Sequence, residues 1–281
     1  MGKFDGVLIA SDYDNTMVYT EGSLRAGTPP PPVSAKNREA VEYFMAHGGI
    51  FSVSTGRALP SFAQVRLGVP MNGPTILFNG AAIYDFSSSR YLHTAFLPEA
   101  IRDHMTQVQQ ALGPLALKIY HDNNSIFAVN PNEITLKRQH LTHLPAVVLP
   151  SIYEAPSPIL KIAFEEPLEV QQKIMDFIAT RPWRSEYEVV SSTSVLLEVT
   201  VHGADKGGMV RRLVDLLGIE QHHVYTMGDH ANDIPMLQFA HIPFAPQNAI
   251  DSVKALPGIR VLSNCWEDAT AEMIAHLDKL Y

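Results

Sequence analysis

The first third of the chain alternates short hydrophobic runs with polar loops and one longer amphipathic segment. Val7–Ala10 and Ile50–Val53 are aliphatic and β-branched runs, each followed by polar residues, which is typical of buried parallel strands. Between them, Pro29–Pro32 predicts a loop, and Ser34 suits the N-cap of a helix that ends at His47 before two glycines. Strand, helix and strand in this order predict the repeating unit of a doubly wound sheet.

A further pair of hydrophobic runs predicts two strands joined by a tight turn. Thr75–Phe78 and Ala81–Tyr84 are separated only by Asn79 and Gly80. The Asn-Gly pair favours a turn between strands, because both residue types accept the unusual backbone angles of such turns.

From about Asp85 the pattern changes, and strands no longer alternate regularly with helices. Helices are predicted over Pro98–Leu112 and Leu168–Thr180. Strands are predicted over Leu117–Tyr120, Ile126–Val129 and Ile159–Phe164. This mixture is typical of an α+β unit with an antiparallel sheet.

The alternation of strands and helices returns after Glu198. The predicted elements are a helix at Lys206–Leu217, a strand at Val224–Met227, a short helix at Asp233–Phe239, a strand at Ile242–Phe244 and a final helix at Trp266–Leu280. The sequence therefore predicts an α/β fold with a doubly wound, Rossmann-like parallel sheet as its core. This core comprises residues 1–84 and 191–281, and an inserted α+β cap domain comprises residues 85–190.

Composition and charge restrict the possible partners. The 281 residues carry a formal net charge of −8, so the basic face that nucleic acid requires is not expected. An anionic substrate would need locally positive groups, such as a metal ion, Lys, Arg or backbone N–H groups. No apolar run approaches the ~20 residues of a membrane span, and the single cysteine, Cys265, cannot form an intramolecular disulfide. We expect a cytoplasmic protein that binds neither nucleic acid nor membranes.

Two carboxylates directly follow the first predicted strand. Asp12 and Asp14 lie two residues apart within the segment Asp12–Thr16, where open α/β sheets place their ligands. Two unpaired acids repel each other unless a cation lies between them, and Mg²⁺ prefers oxygen ligands of this kind. The alternative is a solvated turn, since Asp and Asn are common turn residues.

A second acidic cluster follows the predicted strand Val224–Met227. Asp229 and Asp233 lie four residues apart where the next helix begins, so both can point toward the same crevice. Taken alone, this cluster could equally be an N-terminal helix cap. Two acidic clusters at the ends of core strands nevertheless favour a shared site.

Two further segments could bind an anion. Thr55, Gly56 and Arg57 follow the strand Ile50–Val53, and a hydroxyl group beside a glycine turn can hold a phosphate, although an ordinary turn explains this segment too. Lys206 lies at the start of a predicted helix, where the helix dipole favours acids instead of cations. A surface position is usual for lysine, but this placement favours a pairing of Lys206 with phosphate or an aspartate.

These motifs in this order resemble the haloacid dehalogenase (HAD) superfamily, in particular its Cof-type, sugar-phosphatase-like subfamily with a subfamily IIB cap. Asp-x-Asp-x-Thr begins at Asp12, Ser/Thr-Gly-Arg ends at Arg57, Lys-Gly begins at Lys206 and Gly-Asp-x-x-Asn-Asp ends at Asp233. The resemblance covers essentially the whole chain. One departure is Asn15, which stands where many members have glycine; asparagine tolerates the same backbone angles less freely.

The resemblance implies roles for the charged residues. Asp12 would be the nucleophile and a Mg²⁺ ligand, and Asp14 would be the acid/base and give the metal its backbone carbonyl. Asp229 would be the second carboxylate ligand, with Asp233 as a support for the metal shell. Lys206 would neutralise charge on the nucleophile and the phosphate.

The resemblance also implies a set of phosphate contacts. Thr55 would donate a hydrogen bond to the phosphoryl group, together with Asn232 and the backbone N–H groups of Gly56 and Tyr13. Arg57 could contact the substrate or form a structural ion pair.

The expected activity is Mg²⁺-dependent hydrolysis of small phosphomonoesters, sugar phosphates among them, through an aspartyl phosphate on Asp12. A phosphotransferase or phosphomutase with the same intermediate is one alternative, and a non-catalytic protein that binds a phosphorylated metabolite is another. The partner would be a small phosphorylated metabolite, and the protein a monomer or weak homodimer. Specificity could reside in the cap at Tyr120–Asn123, although a polar turn explains that segment as well.

Overall fold

A computed structural model describes residues 2–281, apart from the side chains of Leu24 and Arg25. Within this range the strands are β1 (Leu8–Ser11), β2 (Ile50–Val53), β3 (Thr75–Leu77), β4 (Ala82–Asp85), β5 (Arg90–Thr94), β6 (Leu117–His121), β7 (Ile126–Val129), β8 (Val147–Val148), β9 (Ile159–Phe164), β10 (Tyr187–Thr193), β11 (Leu196–Val201), β12 (Val224–Met227), β13 (Ile242–Pro246) and β14 (Arg260–Leu262). The α-helices are α1 (Thr20–Ala26), α2 (Ala35–Ala46), α3 (Leu59–Arg66), α4 (Ile101–Leu112), α5 (Glu133–Thr142), α6 (Leu168–Ala179), α7 (Lys206–Leu217), α8 (Ile234–Phe239), α9 (Asp251–Lys254) and α10 (Ala269–Leu277).

A five-stranded, entirely parallel sheet forms the centre of the fold, in the order β2-β1-β12-β13-β14. The chain leaves β1 toward β2 on one side, whereas β12 continues to β13 and β14 on the other. The crevice between the carboxyl ends of β1 and β12 is therefore the switch point of the sheet, where open α/β folds bind ligands.

Burial of both sheet faces explains why β1 and β12 are hydrophobic without interruption. Leu8 of β1 packs in one cluster with Val210 and Leu213 of α7, while Ile9 packs on the opposite face in a cluster that includes Phe44 of α2. Successive side chains of a strand point to opposite faces, so helices on both faces require an unbroken apolar run.

A three-stranded antiparallel sheet, β3-β4-β5, lies beside the edge strand β2. The turn between β3 and β4 contains Asn79, whose φ is +57°, and Gly80, whose φ is +106°. A Cβ atom on Gly80 would lie 2.4 Å from the backbone carbonyl carbon of Asp205, so only glycine fits between this turn and the start of α7. The turn is thereby held close to the switch point.

The inserted part of the chain forms a six-stranded sheet in the order β10-β11-β9-β6-β7-β8. Its strands are antiparallel except for the β7–β8 pair. Helices α4 and α6 cover one face, where Met105 and Ile174 pack with strand residues such as Ile162. This face forms the hydrophobic core of the inserted unit.

The other face of the six-stranded sheet lies against the five-stranded core and carries charged residues. Leu160 and Ala163 of β9 belong to the same hydrophobic cluster as Phe78 after β3, which places this face on the core. Lys118, Lys161 and Glu198 are buried there.

The predicted fold class is confirmed, and several elements agree with the sequence analysis within one or two residues. The strands β2 and β12 and the helix α7 have the predicted bounds. The hairpin at Asn79 and Gly80 is present. The helix α1 was not predicted, because a seven-residue helix with a glycine inside has no apolar periodicity to reveal it.

The six-stranded sheet extends beyond the predicted limits of the insertion. The limit after residue 190 divides β10, and β11 continues the same sheet to Val201. The division into residues 1–84 with 191–281 and residues 85–190 stays a prediction. Among the helices of residues 2–281, none is long and apolar enough to cross a membrane.

Candidate active site

The two acidic motifs meet at the switch point of the parallel sheet. Asp12 directly follows β1, and its backbone N–H donates to the carbonyl of Met227, the last residue of β12, at 2.9 Å. The loop after β12 carries Asp229, which is buried like Asp12. Because β1 and β12 are neighbouring parallel strands, their carboxyl ends bring the two carboxylates together.

Lys206 links these motifs from the first turn of α7. Its side chain is fully buried, and Nζ donates to Asp12 Oδ1 at 2.7 Å and to Asp233 Oδ1 at 2.5 Å. Burial alone would lower the pKa of Lys206, but the two carboxylates outweigh it and raise the pKa. The helix does not depend on this lysine for its cap, because Asp205 accepts a hydrogen bond from Gly208 N. Lys206 is thus a permanent buried cation at the site.

Three carboxylates are placed so that one cation could contact all of them. One oxygen atom from each of Asp12, Asp229 and Asp233 lies within 4.8 Å of the others. Burial raises the pKa of Asp12 to about 7, with further contributions from Asp233 and Asp14 against the opposing effect of Lys206. Burial, then Asp12 and Asp233, raises the pKa of Asp229 well above its usual range. A divalent cation would relieve this repulsion, and a set of oxygen donors suits Mg²⁺.

The carboxylate of Asp233 is already engaged by the protein. Its Oδ1 accepts from Lys206, and its Oδ2 accepts from the backbone N–H groups of Asp229 and His230 at 2.9 and 3.0 Å. A Cβ atom on Gly228 would lie 2.4 Å from the Cβ of Asp233, so the loop can close around this carboxylate only with glycine there. Asp233 therefore organises the loop that presents Asp229.

Asp12 and Asp229 each retain one oxygen that accepts no hydrogen bond from the described part of the protein. Lys206 occupies Oδ1 of Asp12, and the hydroxyl of Thr16 donates to Oδ1 of Asp229 at 2.9 Å. The remaining oxygens of these two residues are the groups that a metal ion could use. Thr16 belongs to the first motif, and its contact shows how that motif orients the second.

Asp14 is not a member of this carboxylate cluster and forms an ion pair with Arg57. The guanidinium donates through Nε and Nη2 to the two carboxylate oxygens at 2.8 and 2.7 Å. Burial would raise the pKa of Asp14, but the charge and hydrogen bonds of Arg57 outweigh it and lower the pKa. Arg57 also lies over the ring of Tyr13, 5.1 Å from its centroid. The sequence left two roles open for Arg57, a structural ion pair and contact with a substrate. The structure contains the ion pair, and contact with a substrate stays a prediction.

The loop after β2 presents a buried hydroxyl group. Thr55 is fully buried, and its Oγ1 accepts a hydrogen bond from the N–H of Arg57 at 3.2 Å. A hydroxyl oxygen that accepts a hydrogen bond from a backbone N–H can still donate its own hydrogen to a ligand. The carbonyl of Gly56 accepts a hydrogen bond from Lys161 of β9 at 2.7 Å. The predicted phosphate loop is thus in contact with the inserted sheet.

Asn232 is connected to the same region through Asn79. The side-chain nitrogen of Asn232 donates to Oδ1 of Asn79 at 2.9 Å, and the nitrogen of Asn79 donates to Glu198 of β11. Sequence reasoning missed Asn79, Lys161 and Glu198 as members of the site. The available signal is weak: the Asn79-Gly80 pair indicates a turn, and only the position of Asn79 between two buried runs sets it apart.

The structure thus brings the predicted residues together in three groups. Asp12, Lys206, Asp229 and Asp233 form the buried charged group; Asp14, Arg57 and the ring of Tyr13 form the second; Thr55, Gly56 and Asn232 lie beside the inserted sheet. The catalytic and binding roles of these residues stay predictions.

The segment Tyr120–Asn123 comprises the last two residues of β6 and the first two residues of the turn that leads to β7, so the predicted polar turn holds for Asp122 and Asn123. His121 Nδ1 accepts from the N–H of Asn123 at 3.1 Å and lies 2.8 Å from a carboxylate oxygen of Asp122. Tyr120 is different, because its ring lies toward the core, near Phe78, with the ammonium of Lys161 4.8 Å from its centroid.

Comparison with known proteins identifies the family to which a chain with this site belongs. A sequence model of the family described as haloacid dehalogenase-like hydrolase matches residues 9–274. Among curated relatives, the Bacillus subtilis protein named 5-amino-6-(5-phospho-D-ribitylamino)uracil phosphatase YwtE is 26% identical over 269 residues, which cover 88% of this chain and 89% of the relative.

Two solved structures share the fold. The HAD subclass IIB sugar phosphatase BT4131 matches with a TM-score of 0.79 and 22% identity, over 97% of this chain and 99% of its own. SMU.1108c from Streptococcus mutans matches with a TM-score of 0.81 and 17% identity, over 97% and 98% of the two chains. At these identities the likeness establishes a common architecture, in which the parallel core and the inserted sheet both recur.

Proposed function

The chain belongs to the haloacid dehalogenase-like hydrolases, and we propose that within this family it is a Mg²⁺-dependent phosphatase of small phosphomonoesters with Asp12 as its nucleophile. The observation that carries the proposal is the position of Asp12 at the switch point, in contact with the buried Lys206 and beside Asp229. An ionisable carboxylate held by a cation and facing other carboxylates is suited to react with an anionic ester once a metal ion balances the charge.

The residues present fit a magnesium ion. The free oxygens of Asp12 and Asp229, with the backbone carbonyl of Asp14, would hold it, and Asp233 would keep the Asp229 loop in place through its two N–H contacts. When bound, the metal would offset the repulsion between the nucleophile and the phosphoryl group.

In the first half of the reaction, a carboxylate oxygen of Asp12 attacks phosphorus and the bond from phosphorus to the leaving-group oxygen breaks. Lys206 neutralises part of the charge on Asp12 and on the transferring phosphoryl group. The Thr55 hydroxyl and the Asn232 amide donate hydrogen bonds to the phosphoryl oxygens, together with the N–H groups of Tyr13 and Gly56. The product is an acyl phosphate on Asp12, which divides one difficult step into two.

Asp14 supplies the proton that the leaving oxygen takes. The ion pair with Arg57 opposes this role, because it favours the ionised form of Asp14. We propose that the substrate phosphate draws the guanidinium away from Asp14, which removes the stabilisation of the carboxylate and lets Asp14 hold a proton.

In the second half of the reaction, water attacks phosphorus of the acyl phosphate. Asp14 accepts the proton of this water, the bond between phosphorus and the Asp12 oxygen breaks, and inorganic phosphate is released. Both half-reactions use Asp14 at the same place, first as an acid and then as a base, so the group returns to its starting state after each turnover.

For the substrate, we propose a polyhydroxylated phosphomonoester of metabolite size. The names of two of the proteins that resemble this chain refer to a sugar phosphate and to a ribityl phosphate, which both carry a hydroxylated chain next to the phosphate. The buried Tyr120 ring and its polar neighbours on the inserted sheet are consistent with hydroxyl groups on this side of the site.

The test is phosphate release from sugar phosphates, 5-amino-6-(5-phospho-D-ribitylamino)uracil and an aryl phosphate, with Mg²⁺ or with chelator. The variant Asp12→Asn should lose turnover by at least about 10⁴-fold, whereas Asp176→Asn, an exposed carboxylate on α6, should match the unmodified protein. Borohydride reduction during turnover should convert Asp12 into homoserine, which mass spectrometry of the peptide detects.

The same experiment separates the alternatives. Full turnover by Asp12→Asn would refute the nucleophile assignment. Transfer of the phosphoryl group to a second hydroxyl with little inorganic phosphate would identify a phosphotransferase or mutase. Binding of the phosphate esters without turnover would identify a binding protein.

A further inference from the structure

A buried ion pair on the inserted sheet contacts the loop of Thr55 directly and is linked to Asn232 through Asn79. Lys161 of β9 and Glu198 of β11 contact each other through their charged groups, and each is only 2% exposed. A buried ion pair contributes little net stability, because the loss of hydration offsets the attraction. The role of the Lys161–Glu198 pair is therefore better inferred from the groups that it hydrogen-bonds than from its contribution to stability.

The first arm of this network runs from Lys161 to Thr55. The carbonyl of Gly56, which accepts from Lys161 at 2.7 Å, and the N–H of Arg57 belong to one peptide plane. In a trans peptide these groups point in opposite directions, so a cation on the carbonyl side fixes the direction of the N–H. That N–H donates to Oγ1 of Thr55, which leaves the threonine hydrogen free to donate elsewhere.

The second arm runs from Glu198 to Asn232. An ionised carboxylate only accepts hydrogen bonds, so Glu198 requires the amide nitrogen of Asn79 to face it. The amide oxygen of Asn79 must then face the other way, where it accepts from the nitrogen of Asn232 at 2.9 Å. This leaves the second hydrogen of the Asn232 amide nitrogen available to a ligand.

We propose that the Lys161–Glu198 pair is a positioning device that sets the hydroxyl of Thr55 and the amide of Asn232 for phosphoryl binding. The proposal rests on the proposed function, in which these two residues bind the phosphoryl group. Because the pair belongs to the inserted sheet, the phosphate site is complete only while that sheet lies on the core. Neither Lys161 nor Glu198 touches the reacting atoms, so both are positioning residues.

The test compares Lys161→Met and Glu198→Gln with Lys118→Met, in the full-length protein with Mg²⁺. Lys118 is a matched control: it is a buried lysine of the neighbouring strand β6, paired with Glu165 at 3.7 Å. The first two variants should lower kcat/KM by about 10- to 100-fold, since misplacement of a binding group by about 1 Å has effects of this size. Lys118→Met should stay within about twofold of the unmodified protein.

A structural role alone would give a different pattern, which the double variant Lys161→Met with Glu198→Gln reveals. It removes the unpaired buried charge, so it should recover thermal stability relative to Lys161→Met while kcat/KM stays low. Recovery of both together would overturn the proposal, because the defect would then come from instability.

Hydrogen exchange and phosphate binding decide the same question without turnover. In Lys161→Met, peptides that cover residues 54–58 and 228–234 should exchange faster, and inorganic phosphate should bind about tenfold more weakly by calorimetry. Unchanged exchange and unchanged phosphate affinity would overturn the proposal. If the unmodified protein hydrolyses no ester, the proposed function fails, and these two measurements still decide whether the pair orders the loops.

Discussion

Magnesium binding should release protons from this protein at neutral pH. Metal ligands must be deprotonated, and burial at the site favours the protonated form of the two carboxylates that have a free oxygen. The pKa of Asp12 is raised to about 7, mainly by burial, and that of Asp229 is raised well above its usual range for the same reason. A divalent cation therefore competes with protons for these groups.

The size of the effect follows from the pKa of Asp12. At pH 7 about half of the Asp12 carboxyls carry a proton, so each bound Mg²⁺ should displace about half a proton from this residue. When the pH falls from 7 to 6, the apparent affinity for Mg²⁺ should fall about fivefold. At pH 6 the protonated form of Asp12 exceeds the ionised form by about ten to one. Any proton that Mg²⁺ displaces from Asp229 increases both the number of protons released and the pH dependence of the Mg²⁺ affinity.

Calorimetric titration of Mg²⁺ in two buffers with different ionisation enthalpies measures the released protons directly. The variant Asp12→Asn should lose the proton release that comes from Asp12 and keep the release that comes from Asp229. The variant Asp176→Asn should release as many protons as the unmodified protein. Equal heats in both buffers, together with equal affinities at pH 6 and pH 7, would refute the assignment of these carboxylates to the metal.

The same linkage acts on stability, with a definite sign. The pKa of folded Asp12 lies above the usual value of 3.8, so its stabilising contribution is fully present below about pH 4 and is lost as the pH rises through 7. The metal-free protein should therefore become less stable over this interval, and Mg²⁺ should raise Tm more at pH 8 than at pH 5.5. A Tm increase that is larger at the acidic pH would contradict this sign.

Three further substitutions and one matched control test the packing and charge of the site. Lys206→Met leaves two buried carboxylates without their cation and should lower the free energy of unfolding of the metal-free protein by about 3–5 kcal/mol in urea; an unchanged value would contradict the buried ion pairs. Gly80→Ala, with φ at +106° and backbone atoms in the way, should destabilise by about 3 kcal/mol, whereas Gly113→Ala, with φ at +98° and nothing nearby, should lose only about 1 kcal/mol. Arg57→Gln should raise the pKa of Asp14 and move the alkaline limb of kcat/KM to higher pH; an unmoved limb would exclude Asp14 as the acid.

The residues of the charged group could be predicted because local pattern and topology act together. Asp12 and Asp229 each follow a short run of buried strand residues, and the carboxyl ends of neighbouring parallel strands meet at one edge of a sheet. Lys206 was recognisable as a cation at a helix start, where the dipole disfavours it. In each case the signal lies within a few residues of the functional group.

The partners on the inserted sheet could not be predicted in this way. Lys161 and Glu198 are 37 positions apart, and Lys161 is 105 positions from Gly56, so their contact depends on strand register and on how two sheets meet. A lysine or glutamate in an alternating strand normally marks the solvated face. Here that face is covered by the core, which no local pattern reveals.

The burial of these acids also explains why the site and the inserted sheet belong together. Among the described residues, Lys206 is the buried cation that pairs with this cluster of three carboxylates, Asp12, Asp229 and Asp233. Burial, together with the repulsion between the carboxylates, raises the pKa of Asp12 and Asp229. Electrostatic forces grow as water is excluded, which makes the repulsion and the attraction for a cation stronger when the sheet covers the core. In the proposed mechanism, cover by the inserted sheet would therefore strengthen metal binding, and Lys161 of the same sheet would order the phosphate loop through its contact with Gly56.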